Sequence, residues 1–189
     1  MAFLYNTLNR KILLTLILSW SLSSFFISEQ QLFLVVIISL LSLVSLIFIW
    51  LEKSPVFLLV FNSFLCSFAL YVAMFYLSFP FWLLLIAVLI LFGFIFTYTE
   101  QKIGILGNQR LIYLLLFTIV IIEFFFALSY FLISPLNKSL IIAVISYLLI
   151  GYCYTILAKH DDNKFATYII ISVMAIILIM TTSNWGSLY

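Results

Sequence analysis

The sequence predicts an all-α polytopic bundle of about seven membrane-spanning helices, and three observations predict it. The first is composition: 67% of the 189 residues are hydrophobic and 7% charged, with a mean hydropathy of +1.37. Soluble domains carry roughly 25% charged and about 45–50% apolar residues. A water-soluble chain of this length could not hide so much apolar surface, so the excess must face lipid. The second is that the apolar residues fall into stretches of spanning length. The third is that the basic residues collect in alternate breaks between those stretches.

A spanning helix needs ~20 mainly apolar residues. The stretches 12–28, 32–51, 55–77, 80–98, 111–133, 139–157 and 165–183 meet that requirement. Helices are the form expected of them. Lipid cannot satisfy backbone N–H and C=O groups, and the polar alternation of a barrel strand is missing.

In chain order, the first stretch follows Arg10 and Lys11. It is long for a signal-peptide core, and Phe25 to Glu29 offers no small-residue cleavage site, so it reads as a retained anchor. Glu29-Gln30-Gln31 separates it from the second, and Glu52-Lys53-Ser54 separates the second from the third. Pro55 and Pro80 suit the first turn of a helix, where a missing N–H does no harm. The break at Ser78-Phe79 is the weakest; two re-entrant pieces there would leave five spans. The fourth and fifth spans are separated by Thr99 to Arg110, the fifth and sixth by Ser134 to Lys138, and the sixth and seventh by Ala158 to Lys164. The whole chain, 1–189, reads as one domain.

Orientation follows from Lys and Arg placement. With the N-terminus in the cytoplasm, Arg10, Lys11, Lys53, Lys102, Arg110, Lys159 and Lys164 are all cytoplasmic and only Lys138 lies outside. Losing one span would destroy this asymmetry. The C-terminus is then extracytoplasmic, and the cell (inner) membrane is the expected location. Tyr and Trp support the assignment by favouring the two interfaces. Trp50, Tyr98, Tyr113 and Tyr168 fall at inner ends; Tyr76, Trp82, Tyr130 and Trp185 fall at outer ends. Trp20, near the middle of the first span, is the exception.

Helices in lipid associate through small residues and polar contacts. Stripes at helical spacing are therefore candidate packing faces. They are Ser39, Ser42 and Ser45; Asn62, Cys66, Ala69 and Ala73; Glu123, Ala127 and Tyr130; Ala143, Tyr147, Gly151 and Tyr154; and Tyr168, Ser172, Ala175 and Thr182. The fourth span, nearly all large and apolar, is expected at the periphery. No G-x-x-x-G and no internal repeat is found. Cys66 and Cys153 fall at different depths, beyond the ~7 Å reach of a disulfide, and read as free thiols.

Glu123 is the sharpest chemical feature. It falls twelve residues into the fifth span, where an acid costs ~2.5–3.5 kcal/mol on insertion scales. No Lys or Arg lies within any span to pair with it, so the carboxyl is expected either to be protonated or to be held by hydroxyl and amide donors. Counting rise from the cytoplasmic ends places Glu123 at ~18 Å, Ser39 at ~18 Å, Tyr147 at ~15 Å and Asn62 at ~10 Å. These four form the candidate intramembrane polar site, with Tyr147 the expected partner because the fifth and sixth spans make a tight hairpin. The carboxyl reads either as a proton-relay or substrate contact, or as a hydrogen bond tying helices together.

His160, Asp161 and Asp162 form the other polar cluster, in a short loop. Metal sites need three or four ligands, and no second cluster supplies the rest. A solvated turn between Lys159 and Lys164 is the plainer reading. The loop with Gly104 and Gly107 lacks the phosphate-binding spacing and reads as a basic loop near headgroups. No catalytic, cofactor or metal motif is assigned. Haem ligation, a retinal Schiff base, intramembrane Ser–His or aspartyl proteolysis and voltage sensing all lack their required residues within the spans. A net charge of +2 argues against nucleic acid as a partner.

Three function classes follow. The first is a non-catalytic membrane subunit or scaffold, with the lipid bilayer and other membrane proteins as partners. The second is a small solute or proton-coupled transporter using Glu123. The third is an enzyme on a lipid-linked substrate, using His160, Asp161 and Asp162 together with Glu52 or Glu100.

Overall fold

In a computed structural model of the chain, residues 2–103, 110–157 and 162–183 are described. They form seven α-helices: α1 Ala2–Ser28, α2 Leu32–Leu51, α3 Pro55–Tyr76, α4 Phe81–Ile103, α5 Arg110–Ser129, α6 Pro135–Leu157 and α7 Asp162–Thr182. Each contains a stretch long and apolar enough to cross a membrane. The chain is a polytopic helical membrane protein.

Contacts between helix ends show that successive helices alternate in direction. At one end, called here the Glu52 end, Lys11 of α1 meets Glu52 just past α2, with Nζ 2.7 Å from Oε1. The same ammonium donates to the Trp50 carbonyl at 3.2 Å. Phe48 of α2 meets Phe57 early in α3, and the Tyr98 hydroxyl of α4 points to the Ile49 carbonyl. At the opposite, Lys138 end, Phe81 opens α4 against Phe126 late in α5. Asn137 early in α6 donates to Ser183, just past α7, at 2.9 Å. The N-terminus of α1 and the C-terminus of α7 therefore lie at opposite ends.

The turns carry their own signature. Glu52 sits at φ 56° in the left-handed region, and the Lys53 N–H returns to the Phe48 carbonyl, closing α2 with a Schellman-type cap. Ser54 and Ser78 also have positive φ, at 48° and 51°. Pro55 occupies the first turn of α3 as expected. Pro80 lies one step earlier than its expected place, immediately before α4, where its carbonyl accepts from Leu83 and Leu84.

α3 is the hub. It packs against α1, α2, α4 and α6 and is buried on every side from Leu58 to Ala73, except at Val60. Small residues on several of its faces (Ser63, Cys66, Ser67, Ala69, Ala73) allow neighbours to approach from several directions. α5 packs on α4 and α6, and α7 packs on α6. The least buried helices are α7 and α2.

α4 lies at the periphery, with 33% of its span buried, but it presents one closely packed face. Leu84, Val88, Phe92, Ile95, Phe96 and Tyr98 are buried along one face, and Phe96 stacks on Phe117 of α5 at 4.3 Å. Interlocking aromatic rings hold this face, a mode of packing that a search for small residues overlooks. Tyr98, read as an interface anchor, is buried, whereas Trp50, Trp82, Tyr76 and Tyr130 are exposed near helix ends. Cys66 and Cys153 are both buried, and neither forms a disulfide.

Candidate functional site

The four residues of the sequence-derived polar site lie on four helices in four different environments. Ser39 is half-buried on α2, and its hydroxyl donates to the Val35 carbonyl at 2.6 Å, within its own helix. Asn62 is buried in the hub. Its Nδ2 donates to the Leu58 carbonyl at 2.7 Å, while its Oδ1 finds no donor among the described residues. Tyr147 packs its ring on Tyr168 of α7, with centroids 4.9 Å apart. That ring turns toward α7, away from the expected pairing with α5.

Glu123 lies on the outer face of α5 and is exposed. The packed face of that helix is formed by Phe117, Ile121, Phe125 and Leu128. The stripe Glu123, Ala127 and Tyr130, read as a helix–helix contact, faces away from the other described residues. Its depth also differs from the expectation. α5 ends at Ser129, not at 133, so Glu123 sits ~5 Å from the helix midpoint and ~9 Å from the Lys138 end. This is still well inside a hydrocarbon core about 30 Å thick. Among the described residues, no ion pair or hydrogen bond reaches its carboxyl.

Around Glu123 the exposed side chains form a continuous seam. Ile112, Leu116, Ile119, Glu123, Ala127 and Tyr130 succeed one another at spacings of three and four residues. That is the spacing by which one helix face meets another.

A buried polar set lies deeper. The hydroxyls of Ser42 and Ser45 on α2, Ser63 on α3, Ser146 on α6 and Ser172 on α7 make no hydrogen bond among the described residues. Each is small enough to permit close helix approach. On α1, Ser21 lies 3.5 Å from the Cys66 sulfur. A cleft between α4 and α5, with about 170 Å³ of empty space open in part to the outside, is lined by Phe81, Leu85, Val88, Ile122, Phe125 and Phe126 and is too narrow for water.

No protein family, curated protein or solved structure matches this chain.

The sequence reading missed Lys138. It was placed in a loop; in the structure α6 begins at Pro135, and Lys138 lies in its first turn with its side chain fully buried. Its Nζ sits 4.2 Å from the Phe75 ring centroid and 5.5 Å from that of Tyr71, and donates to the Ser129 carbonyl at 3.3 Å. A signal was present. Pro135 suits the first turn of a helix just as Pro55 does, which would have started the sixth span four residues earlier.

His160 and Asp161 lie outside the described residues, as do the side chains of Asp162 and Glu100. Among the described residues, no three His, Cys, Asp or Glu side chains come together.

Proposed function

We propose that the chain is a non-catalytic subunit of a larger membrane assembly, with the outer face of α5 as its assembly surface. The observation that carries this reading is Glu123. An acid within a span is costly and is retained where something meets it. Here nothing among the described residues meets it, and the apolar seam around it has the periodicity of a helix contact. A transporter built on Glu123 calls for a cavity with polar neighbours from two or more helices; the carboxyl faces outward, and the cleft beside its helix is lined by apolar side chains and too narrow for water. The excess of Lys and Arg at alternate breaks favours a cytoplasmic Glu52 end and a cell (inner) membrane location.

The test is to extract the natively expressed chain together with its surrounding lipid and weigh the particle. The expected particle holds a second polypeptide in fixed ratio to this 21.9 kDa chain. A particle holding one chain alone overturns the proposal, as does solute uptake by proteoliposomes of the pure chain that Glu123→Gln abolishes.

A further inference from the structure

Resting on the reading of α5 as an assembly surface, we infer what covers it: a transmembrane helix of another chain, carrying a Lys or Arg at the depth of Glu123. The charge on the face selects this partner. A carboxyl ~9 Å inside the helix end is complemented by a cation or by a strong hydrogen-bond donor at the same depth. A second copy supplies neither on this face. The seam offers only aliphatic side chains, an alanine and, at the helix end, the Tyr130 hydroxyl. The basic residue within the described part of the neighbouring α6, Lys138, is buried and engaged by Phe75, Tyr71 and the Ser129 carbonyl. A two-fold pairing of copies about an axis normal to the membrane would place Glu123 on Glu123 at equal depth, an arrangement that needs at least one of the two carboxyls to take up a proton, whereas a basic partner needs none.

A basic helix from another chain resolves both problems. Each charge alone is costly in hydrocarbon, and each finds its complement in the other. Ala127, one turn beyond Glu123, opens the seam to a close backbone approach. Ile112, Leu116 and Ile119 extend the contact on the other side with apolar surface that gives no preference among partners. The carboxyl therefore sets the choice of partner, and the seam sets its register.

The experiment uses the full chain in lipid bilayers with designed polyleucine transmembrane peptides as probes. One peptide carries a single Lys ~9 Å from the end matching the Lys138 side; a second carries Leu there; a third carries Glu. Association is read by energy transfer between labels. The wild-type chain is expected to bind the Lys peptide at least about tenfold more tightly than the Leu peptide. Glu123→Gln, which keeps shape and removes charge, is expected to abolish the difference, and Glu123→Lys to transfer the preference to the Glu peptide. Equal binding of the Lys and Leu peptides by the wild-type chain overturns the inference while leaving α5 as an assembly surface. Efficient disulfide trapping between two copies of Ile119→Cys overturns it in favour of self-association. A native particle holding this chain alone removes the assembly reading itself, whatever the peptides do.

Discussion

Lys138 seats its ammonium over the ring of Phe75, 4.2 Å from the centroid, with its side chain closed off from the surface. The ammonium also donates to the carbonyl of Ser129, the last residue of α5. The free carbonyls of a helix C-terminus carry partial negative charge, so a cation there caps the helix as well as filling an aromatic cage. One side chain thus joins the ends of α3, α5 and α6. A desolvated cation–π contact contributes about 2 kcal/mol. Lys138→Met keeps the apolar stem and loses the charge, and is expected to lower unfolding stability in bicelles by about 1–3 kcal/mol. A double-mutant cycle with Phe75→Leu is expected to show coupling, because the second change removes a contact already lost. Strict additivity would show that the cage contributes nothing.

Gly151 and Tyr168 set the distance between α6 and α7. A Cβ at Gly151 would lie 2.5 Å from the Tyr168 ring, close to the root of that side chain, where the ring has little room to yield. Gly93 of α4 has open space at the same position. Alanine improves intrinsic helix propensity over glycine by about 1 kcal/mol at both sites. At Gly151 overpacking opposes this and prevails. Gly151→Ala is expected to destabilise by about 1–2 kcal/mol, and Gly93→Ala to be neutral or stabilising by up to about 1 kcal/mol. Thermal unfolding in one detergent compares them, and the opposite ranking would mean that α7 does not pack where it is placed.

Ser78 bridges α3 and α4 with φ 51°, a left-handed conformation that costs an L residue about 1–2 kcal/mol. It is exposed. Ser78→Gly removes that strain and gives back part of the gain as unfolded-chain entropy. The expected net is a stabilisation of about 0.5–1 kcal/mol, read from the midpoint of an SDS unfolding titration. A loss of stability would mean that the turn is held in another conformation.

Helix number and class were legible because the hydrocarbon core imposes a minimum length and forbids unpaired backbone, so seven long apolar runs suffice. Which faces pack was legible where small polar residues mark them, as with Ser42, Ser45 and Asn62, all buried. It failed on α5, and on α4 it left the one packed face unidentified. There the packed faces carry Phe92, Phe96, Phe117 and Phe125, and the lipid-facing sides carry equally apolar Leu and Ile. In a membrane, hydrophobicity does not separate inside from outside, so these two helices gave no one-dimensional signal. Glu123 reads as inward-facing for the same reason: an acid within a bilayer suggests a contact, and a lone carboxyl in an apolar run does not say whether that contact is within the chain; in the structure it is exposed.

Since Glu123 makes no ion pair or hydrogen bond among the described residues, its removal should leave the isolated chain's fold intact. Glu123→Leu is expected to change unfolding stability by no more than about 0.5 kcal/mol, the range for surface positions that touch nothing. The same substitution should favour insertion of the α5 segment by up to ~3 kcal/mol, measured by glycosylation of engineered flanking sites. The two measurements together separate burial within the chain from exposure to lipid. A buried tie would show a loss of stability, as the donors left behind would go unpaired. An outward carboxyl shows a gain in insertion with no loss of fold. A loss of more than about 1 kcal/mol in the purified chain would place the carboxyl against another helix of its own bundle, and the assembly face would have to be sought elsewhere.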